Sequence, residues 1–447
     1  MFTILAKSFS KSNTTSNFLL SQSQLYLSSL QTSLSSLIDK RLNRTFYDVF
    51  MVIMLFRNSK MGLLLSELGG YICGFEHSPA GTKGISNLLR SKKWDSGVID
   101  DFLFEKAKTR ISELIEKEIR PLLLWDDSRI EKPESWFLEG LCSVDSSKGK
   151  RLMKIKKGFY KPPTHRLCVP GFHWTGIMLS GLGQIPSVCQ MSWWTTRGKY
   201  KEWASNIMFR MLKKLNQSLQ KGILHVLDRA YASAWTIEWM LYFEQDFLVR
   251  WKKNILLIHP QKGVKQTHQI ARSLKASAKK LVFDTQRKIA KHITIAYCSV
   301  THPEFMQKQL YLIVVRDKKG HQSPMYLLTN CPVLDNKQAW EMVHSYMHRW
   351  NIEQSFRVGK TELGLESPRL WLWENRLKLM GIVTLVYDFL LSLLRNWSSF
   401  IPFLFKKWCH RTGNRYRIAT IPIYRLRLAI SNCLYFALNF ALSQNSG

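Results

Sequence analysis

The chain has 447 residues, 45% hydrophobic and 12% aromatic, enough for about two or three cored domains, and this excludes a disordered tail. Against 32 Asp and Glu stand 65 Lys and Arg, a formal charge of +33 that a compact fold sustains best when a polyanion neutralises it, so nucleic acid is the expected partner. The acids are also clustered: none precedes Asp39, none lies between Asp145 and Glu202, and none follows Asp388. Eight cysteines with no C-x-x-C pair and no ligand-like spacing to histidine signal neither a zinc site nor a redox motif, and read as reduced, buried, structural thiols of a cytoplasmic protein. The Ser-rich N-terminus has no arginine and no long apolar region with a cleavage site, so it is not read as a targeting peptide. The most apolar run, Leu377 to Leu394, is interrupted by Lys378, Asp388 and Ser392 and reads as a buried amphipathic helix, with no membrane partner.

In chain order, residues 1–115 read as a helical, DNA-binding N-terminal region with a Gly-rich break at Gly69-Gly70 and a second helical stretch opening near Gly84. The segment from Gly84 to Ile119 suggests two helices around a short turn, a unit that serves either to set Arg90, Lys92 and Lys93 against a DNA backbone or simply to pack. From Pro121 the pattern changes. PLLLWDDS is a short apolar run ending in acids, the mark of a buried strand that delivers a carboxylate at its end. A basic loop from Lys148 to Arg166, with Phe159 and Tyr160 interleaved, suits a DNA backbone contact. Strands at Phe172–Leu179 and Ile185–Trp193, a helix from Glu202 to Gln220, the strand ILHVLD ending on Asp228, a helix, and the strand DFLVRW complete the order strand, strand, strand, helix, strand, helix, strand.

The expected fold class is therefore α/β: a mixed sheet in two parts, 116–253 and 333–396, with a β-rich insertion at 254–332, preceded by the helical N-terminal domain and followed by a basic C-terminal region at 397–447. The second part carries YMHRWNIEQSFRVGK, read as a single helix. In it Tyr346, Arg349, Glu353 and Lys360 stand at i, i+3, i+7 and i+14, within roughly 60° of one direction at about 3.6 residues per turn. One acid among a phenol, a guanidinium and an ammonium suits a site that holds a metal and grips a phosphate; an ordinary solvated helix face reads the stretch as well. Asp126, Asp228 and Glu353 each stand at the edge of an element. Two Mg²⁺ ions roughly 3.5 to 4 Å apart need shared oxygen-only ligands of this kind to serve an in-line phosphoryl transfer.

These residues resemble the DDE transposases of bacterial insertion sequences, in the group with a Tyr-x2-Arg-x3-Glu-x6-Lys signature. Tyr346, Arg349, Glu353 and Lys360 match every spacing, Asp228-Arg229-Ala230-Tyr231 is similar to the family's motif around its second acid, and Trp193-Trp194 falls where paired tryptophans are common. The resemblance covers about residues 80–396. It implies an RNase H-like core in which Asp126, Asp228 and Glu353 are the catalytic, metal-holding acids. Two Mg²⁺ ions are implied, with Mn²⁺ as substitute, as are endonuclease cleavage at transposon ends and joining of the freed 3′-hydroxyl to target DNA. For the first acid the family pattern Asp-x-Thr/Ser favours Asp126 of Asp126-Asp127-Ser128 and keeps Asp127 in reserve. By the same implication Tyr346, Arg349 and Lys360 hold phosphates at the transposon terminus, with Arg229, Trp193 and Trp194 also at the DNA, and the chain works as a homodimer in a synaptic complex on double-stranded DNA.

Some relatives excise through a DNA hairpin and hold a flipped base on a tryptophan just before an apolar Leu-Leu-Thr strand. Here that place carries Met325 and Tyr326, and Tyr326 is the candidate replacement, since a flipped base recovers about 1 to 3 kcal/mol by stacking on an aromatic ring. Two other readings stay open: a nuclease of similar core that cuts without joining, and a non-catalytic DNA-binding descendant of a transposase.

Overall fold

The computed structural model describes residues 14–56, 60–135, 137–152, 164–284, 289–317, 323–410, 413, 419 and 421–444. The N-terminal region is helical as expected: α1 (Thr14–Leu37), α2 (Lys40–Leu55), α3 (Leu65–Cys73), α4 (Ser78–Arg90) and α5 (Gly97–Glu116). Asp39 starts α2 by accepting from the backbone N–H groups of Arg41 and Leu42 at 2.9 and 3.0 Å, satisfying donors that the first helical turn leaves open. Then follow β1 (Leu122–Glu131), β2 (Cys142–Asp145), α6 (Ser147–Leu152), β3 (Cys168–Ser180), β4 (Ser187–Trp194), α7 (Ala204–Ser218), β5 (Leu224–Leu227), α8 (Ala234–Tyr242) and β6 (Asp246–Trp251). The next stretch holds β7 (Leu256–His259), β8 (Gly263–Gln266), α9 (Thr267–Arg272), β9 (Ala278–Asp284), β10 (Ile289–His302), β11 (Phe305–Asp317) and β12 (Met325–Thr329). The chain closes with α10 (Asn336–Met347), α11 (Trp350–Thr361), α12 (Trp373–Asn396), α13 (Phe400–Trp408) and α14 (Ile423–Gln444).

The strands form one twelve-stranded mixed sheet in the order β2-β3-β1-β5-β6-β12-β11-β10-β7-β8, with β4 also on β3 and β9 also on β10. β1 runs antiparallel to β3 along its whole length, while β5 lies parallel to both β1 and β6. Residues 254–332 were expected as a β-rich insertion, and the sequence left open how its strands meet the core. Their described strands continue the sheet, because β12 pairs antiparallel with β6 and covers an edge that would otherwise present unpaired backbone groups. The short strand β2 is not signalled by the sequence; it shares an edge of β3 with β4.

Side chains alternate across this sheet as the pleat requires. Leu122, Leu124, Val226, Leu248 and Leu327 face one apolar layer with α2, α10, α11 and α12, whereas Leu123, Trp125, Leu227, Val249 and Leu328 face the other with α7, α8 and α9. Among the described residues α12 alone is long and apolar enough to cross a membrane, and 94% of its apolar window is buried inside the fold. Its charged side chains find partners there, although Arg376 Nη1 has none. Arg376 donates to the Glu139 carbonyl at 2.7 Å, Lys378 to the Leu89 and Ser91 carbonyls at 3.0 and 2.7 Å, and Asp388 accepts from the Tyr26 hydroxyl and the Val188 N–H at 2.9 and 2.8 Å.

Other expectations need correcting. Cys73 and Cys168 are exposed, so not every cysteine is a core thiol. The C-terminal region, illegible in sequence, supplies α13 and α14 to the core, where the buried Arg427 pairs with Glu362 at 3.6 Å and donates to the Phe56 carbonyl. Of the basic loop, Lys154, Lys156, Lys157, Phe159, Tyr160 and Lys161 lie outside the described residues, as do Arg411, Arg415 and Arg417. The paired helices α4 and α5 do form, and Arg90, Lys92 and Lys93 are exposed at their junction.

The Gly69-Gly70 break is absent, for both glycines lie inside α3. They serve close packing: a Cβ at Gly81 of α4 meets Gly69 O at 2.4 Å and Gly69 Cα at 2.7 Å, so two helix backbones touch where no side chain fits. Gly84, on the same helix, faces open space. Gly81→Ala is expected to cost about 1 to 3 kcal/mol of stability by overpacking, and Gly84→Ala to add about 0.5 to 1 kcal/mol by helix propensity. Urea denaturation reads both, and equal midpoints in the two variants would contradict this packing.

Candidate active site

The site starts from two adjacent parallel strands. Trp125 of β1 and Leu227 of β5 stand in register, so the residues that follow them, Asp126 and Asp228, emerge side by side where β5 ends. Opposite Asp126 on β3 is Gly176. A Cβ there would meet Met191 Sδ at 2.8 Å and the Phe356 ring at 3.1 Å, so the missing side chain lets α11 approach the sheet beside the acid. Ile352 and Phe356 bury the inner face of α11, with Phe356 on the Trp174 ring at 4.4 Å, and Glu353 is turned toward Asp126 and Asp228.

The stretch read as one helix is two. His348 and Arg349 form a turn between α10 and α11, in which the N–H groups of Arg349, Asn351 and Ile352 bond three residues back at 3.1, 3.0 and 3.2 Å. This tightened turn sets the position of Arg349. Its Nη1 stands 3.3 Å from Asp126 Oδ2, its Nε 3.8 Å from Asp228 Oδ1, and its Nη2 donates to Glu353 Oε1. The Tyr346 hydroxyl donates to Asp228 Oδ1 at 3.2 Å. Three acids separated by more than a hundred residues at each step thus meet around one guanidinium.

The electrostatics follow from this crowding. Burial, opposed by Arg349 and reinforced by Asp228 and Glu353, pushes the Asp126 carboxyl up to about 7. Burial also pushes the Tyr346 phenol up to about 12, Arg349 opposing and Asp228 adding. For Arg349 burial works against the charge, but Tyr346, Asp228, Asp126 and Glu353 together outweigh it and raise its pKa. The three carboxylates offer only oxygen donors, the chemistry that Mg²⁺ and Mn²⁺ prefer. With the guanidinium between them, no three His, Cys, Asp or Glu side chains among the described residues are grouped closely enough to hold one ion.

The other expected site residues divide. Asp127 points away from Asp126, as adjacent strand residues must, and accepts from Thr175 Oγ1 at 2.5 Å. Lys360 sits at the far end of α11, where burial lowers its pKa and the charges acting on it most are Glu366, Glu131 and Arg129, not the three acids. Arg229 is exposed directly after Asp228, open to a ligand. Trp193 and Trp194 are corrections: they are 7% and 6% exposed and pack into opposite layers of the core. Trp194 stacks on His173 at 4.2 Å and donates to Thr175 Oγ1 at 2.9 Å, steadying the partner of Asp127. Tyr326 does not join the three acids. It is half-buried beside Trp251 and packs on the layer opposite the one that holds α11. Thr175 and Gly176 escaped the sequence reading, since their importance comes only from their register with Asp127 and Asp126.

No family model matches the chain, and no curated protein does. Among solved structures it is similar to a cryo-EM structure of the piggyBac transposase synaptic complex with hairpin DNA, at 11% identity and a TM-score of 0.40, over 92% of this chain and 76% of that one. A likeness this distant carries no weight for function, which rests on the side chains themselves. If Trp194 belongs to the core, Trp194→Ala should lower stability by about 3 to 5 kcal/mol; an equally stable variant in urea denaturation would return that ring to the surface.

Proposed function

We propose that the chain is a DNA transposase with an RNase H-like core that cuts DNA at transposon ends and joins the freed 3′-hydroxyl to a target. The observation that carries this reading is the meeting of Asp126, Asp228 and Glu353, from β1, the end of β5 and α11, around Arg349. The succession β1, β3, β4, α7, β5, α8, β6, interrupted by β2 and α6 after β1 and with β5 parallel to β1 and β6, supports the RNase H-like assignment. A charge of +33 supports double-stranded DNA as the partner. A homodimer on paired ends and a cytoplasmic location complete the proposal.

The donor set fits divalent metal: Asp126, Asp228 and Glu353 would hold two Mg²⁺ ions, or Mn²⁺. When bound, the metal supplies Lewis-acid stabilisation of the attacking and leaving oxygens of an in-line phosphoryl transfer. The chain's own residues do the rest. Tyr346 orients Asp228 through its hydroxyl, and the buried Ile352 and Phe356 lock α11 so that Glu353 stays aimed at the two aspartates. Arg229, exposed at the rim, and the exposed Arg90, Lys92 and Lys93 are available for phosphates of the duplex.

The test uses the purified chain, Mg²⁺ and DNA fragments from both flanks of its coding region, scored for end cleavage and for joining to a plasmid. Cleavage with joining is expected; cleavage alone would make it a nuclease. Glu353→Gln and Asp126→Asn should lose at least about a thousandfold in rate, the scale on which removal of a charge-stabilising group acts, while Asp127→Asn stays within about tenfold of wild type. Wild-type cleavage by Glu353→Gln would refute the assignment.

A further inference from the structure

We propose that Arg349 is the resident counter-ion of the acid cluster, a protein cation that divalent metal must displace to enter. This inference deepens the metal-binding reading and rests on it. The side chain of Arg349 is 10% exposed, against 29% and 31% for Asp228 and Glu353, so the guanidinium lies beneath the rim that these acids form. Its polar partners are the three acids and the Tyr346 phenol, whose ring centre is 5.7 Å from the guanidinium carbon. The buried Arg376 makes the contrast, since its Nη1 is likewise unpartnered but backbone carbonyls of Glu139, Leu370 and Trp371 hold it and tie it to the fold. Arg349 is tied to carboxylates, and its Nε makes no hydrogen bond, standing 3.8 Å from Asp228 Oδ1. It also sits in the two-residue turn between α10 and α11, where a change in backbone angles need not break either helix.

Mg²⁺ takes its oxygen ligands at about 2.0 to 2.1 Å, well inside the distances at which Arg349 holds Asp126 and Asp228. An ion drawing these oxygens around itself would occupy the space of the guanidinium, and two like charges in a half-buried corner repel. Pairing and metal binding therefore compete. The apparent metal affinity is the intrinsic affinity multiplied by the fraction of molecules in which the guanidinium has moved away.

Mn²⁺ titration of the full chain without DNA, by calorimetry or by electron paramagnetic resonance of the free ion, tests this. Arg349→Met keeps the bulk and removes the charge; it should bind Mn²⁺ at least about tenfold tighter than wild type, as expected if pairing leaves a tenth of the molecules or fewer open. In EDTA the same variant should melt below wild type, and Mn²⁺ should raise its melting temperature more than it raises the wild type's. Glu353→Gln identifies the binding lost from this site. Equal affinity in wild type and Arg349→Met would overturn the competition and leave the metal reading intact. No binding in either protein, with nothing lost on Glu353→Gln, would overturn both. If Arg349→Met does not fold without metal, Arg349→Lys, whose single point charge cannot bridge three acids, should show tighter Mn²⁺ binding than wild type; affinity equal to or weaker than wild type would refute the proposal.

Discussion

Three carboxylates gathered around one partly buried point repel one another, and the repulsion is stronger there than between the same charges in water. Such a corner is relieved by a cation placed in it or by a carboxyl that takes up a proton, the direction in which burial pushes Asp126. Arg349 is that cation here, reaching Asp126, Asp228 and Glu353 from the turn that separates α10 from α11. The rest of the site can be understood as the means of presenting three acids to one positive charge: parallel strands for two of them, a helix packed through Phe356 for the third, and Tyr346 bracing Asp228.

The sheet supplies the precision. The register between β1 and β5 sets Asp126 beside Asp228, and the register between β1 and β3 puts the side-chain-free Gly176 where α11 must come close. The same alternation sends Asp127 to the other face, where Thr175 and, behind it, Trp194 occupy it. Two neighbouring acids with the same chemistry are thereby given different surroundings by the pleat alone. Outside this centre the fold is insulated by burial: α12 threads the core with Arg376, Lys378 and Asp388 each hydrogen-bonded to the surrounding fold, and β12 closes the edge of β6.

Much of this was legible in the sequence because it depends on local patterns. The apolar runs that end in acids marked β1 and β5, the alternation of strands and helices gave the order of the central elements, and the spacing of Tyr346, Arg349 and Glu353 placed them on one side of the chain. What stayed hidden depends on contacts distant in sequence. That Arg349 faces acids rather than solvent, that Trp193 and Trp194 are core residues, and that Tyr326 packs away from α11 follow from the pairing of strands, which no local spacing reports. Gly69 was misread for a related reason: a glycine looks like a break until the second helix that presses on it is seen. The helical turn at His348 and Arg349 has no glycine or proline to announce it.

The central claim, that Asp126, Asp228 and Glu353 together take up divalent metal, has a direct physical readout. Fe²⁺ loaded in place of Mg²⁺ and treated with ascorbate and peroxide generates radicals that cut only the nearby backbone, and mass spectrometry locates the cuts. The account predicts cuts clustered near residues 126, 228 and 353, suppressed by excess Mg²⁺. Cuts elsewhere, or at one of these places without the others, would contradict it.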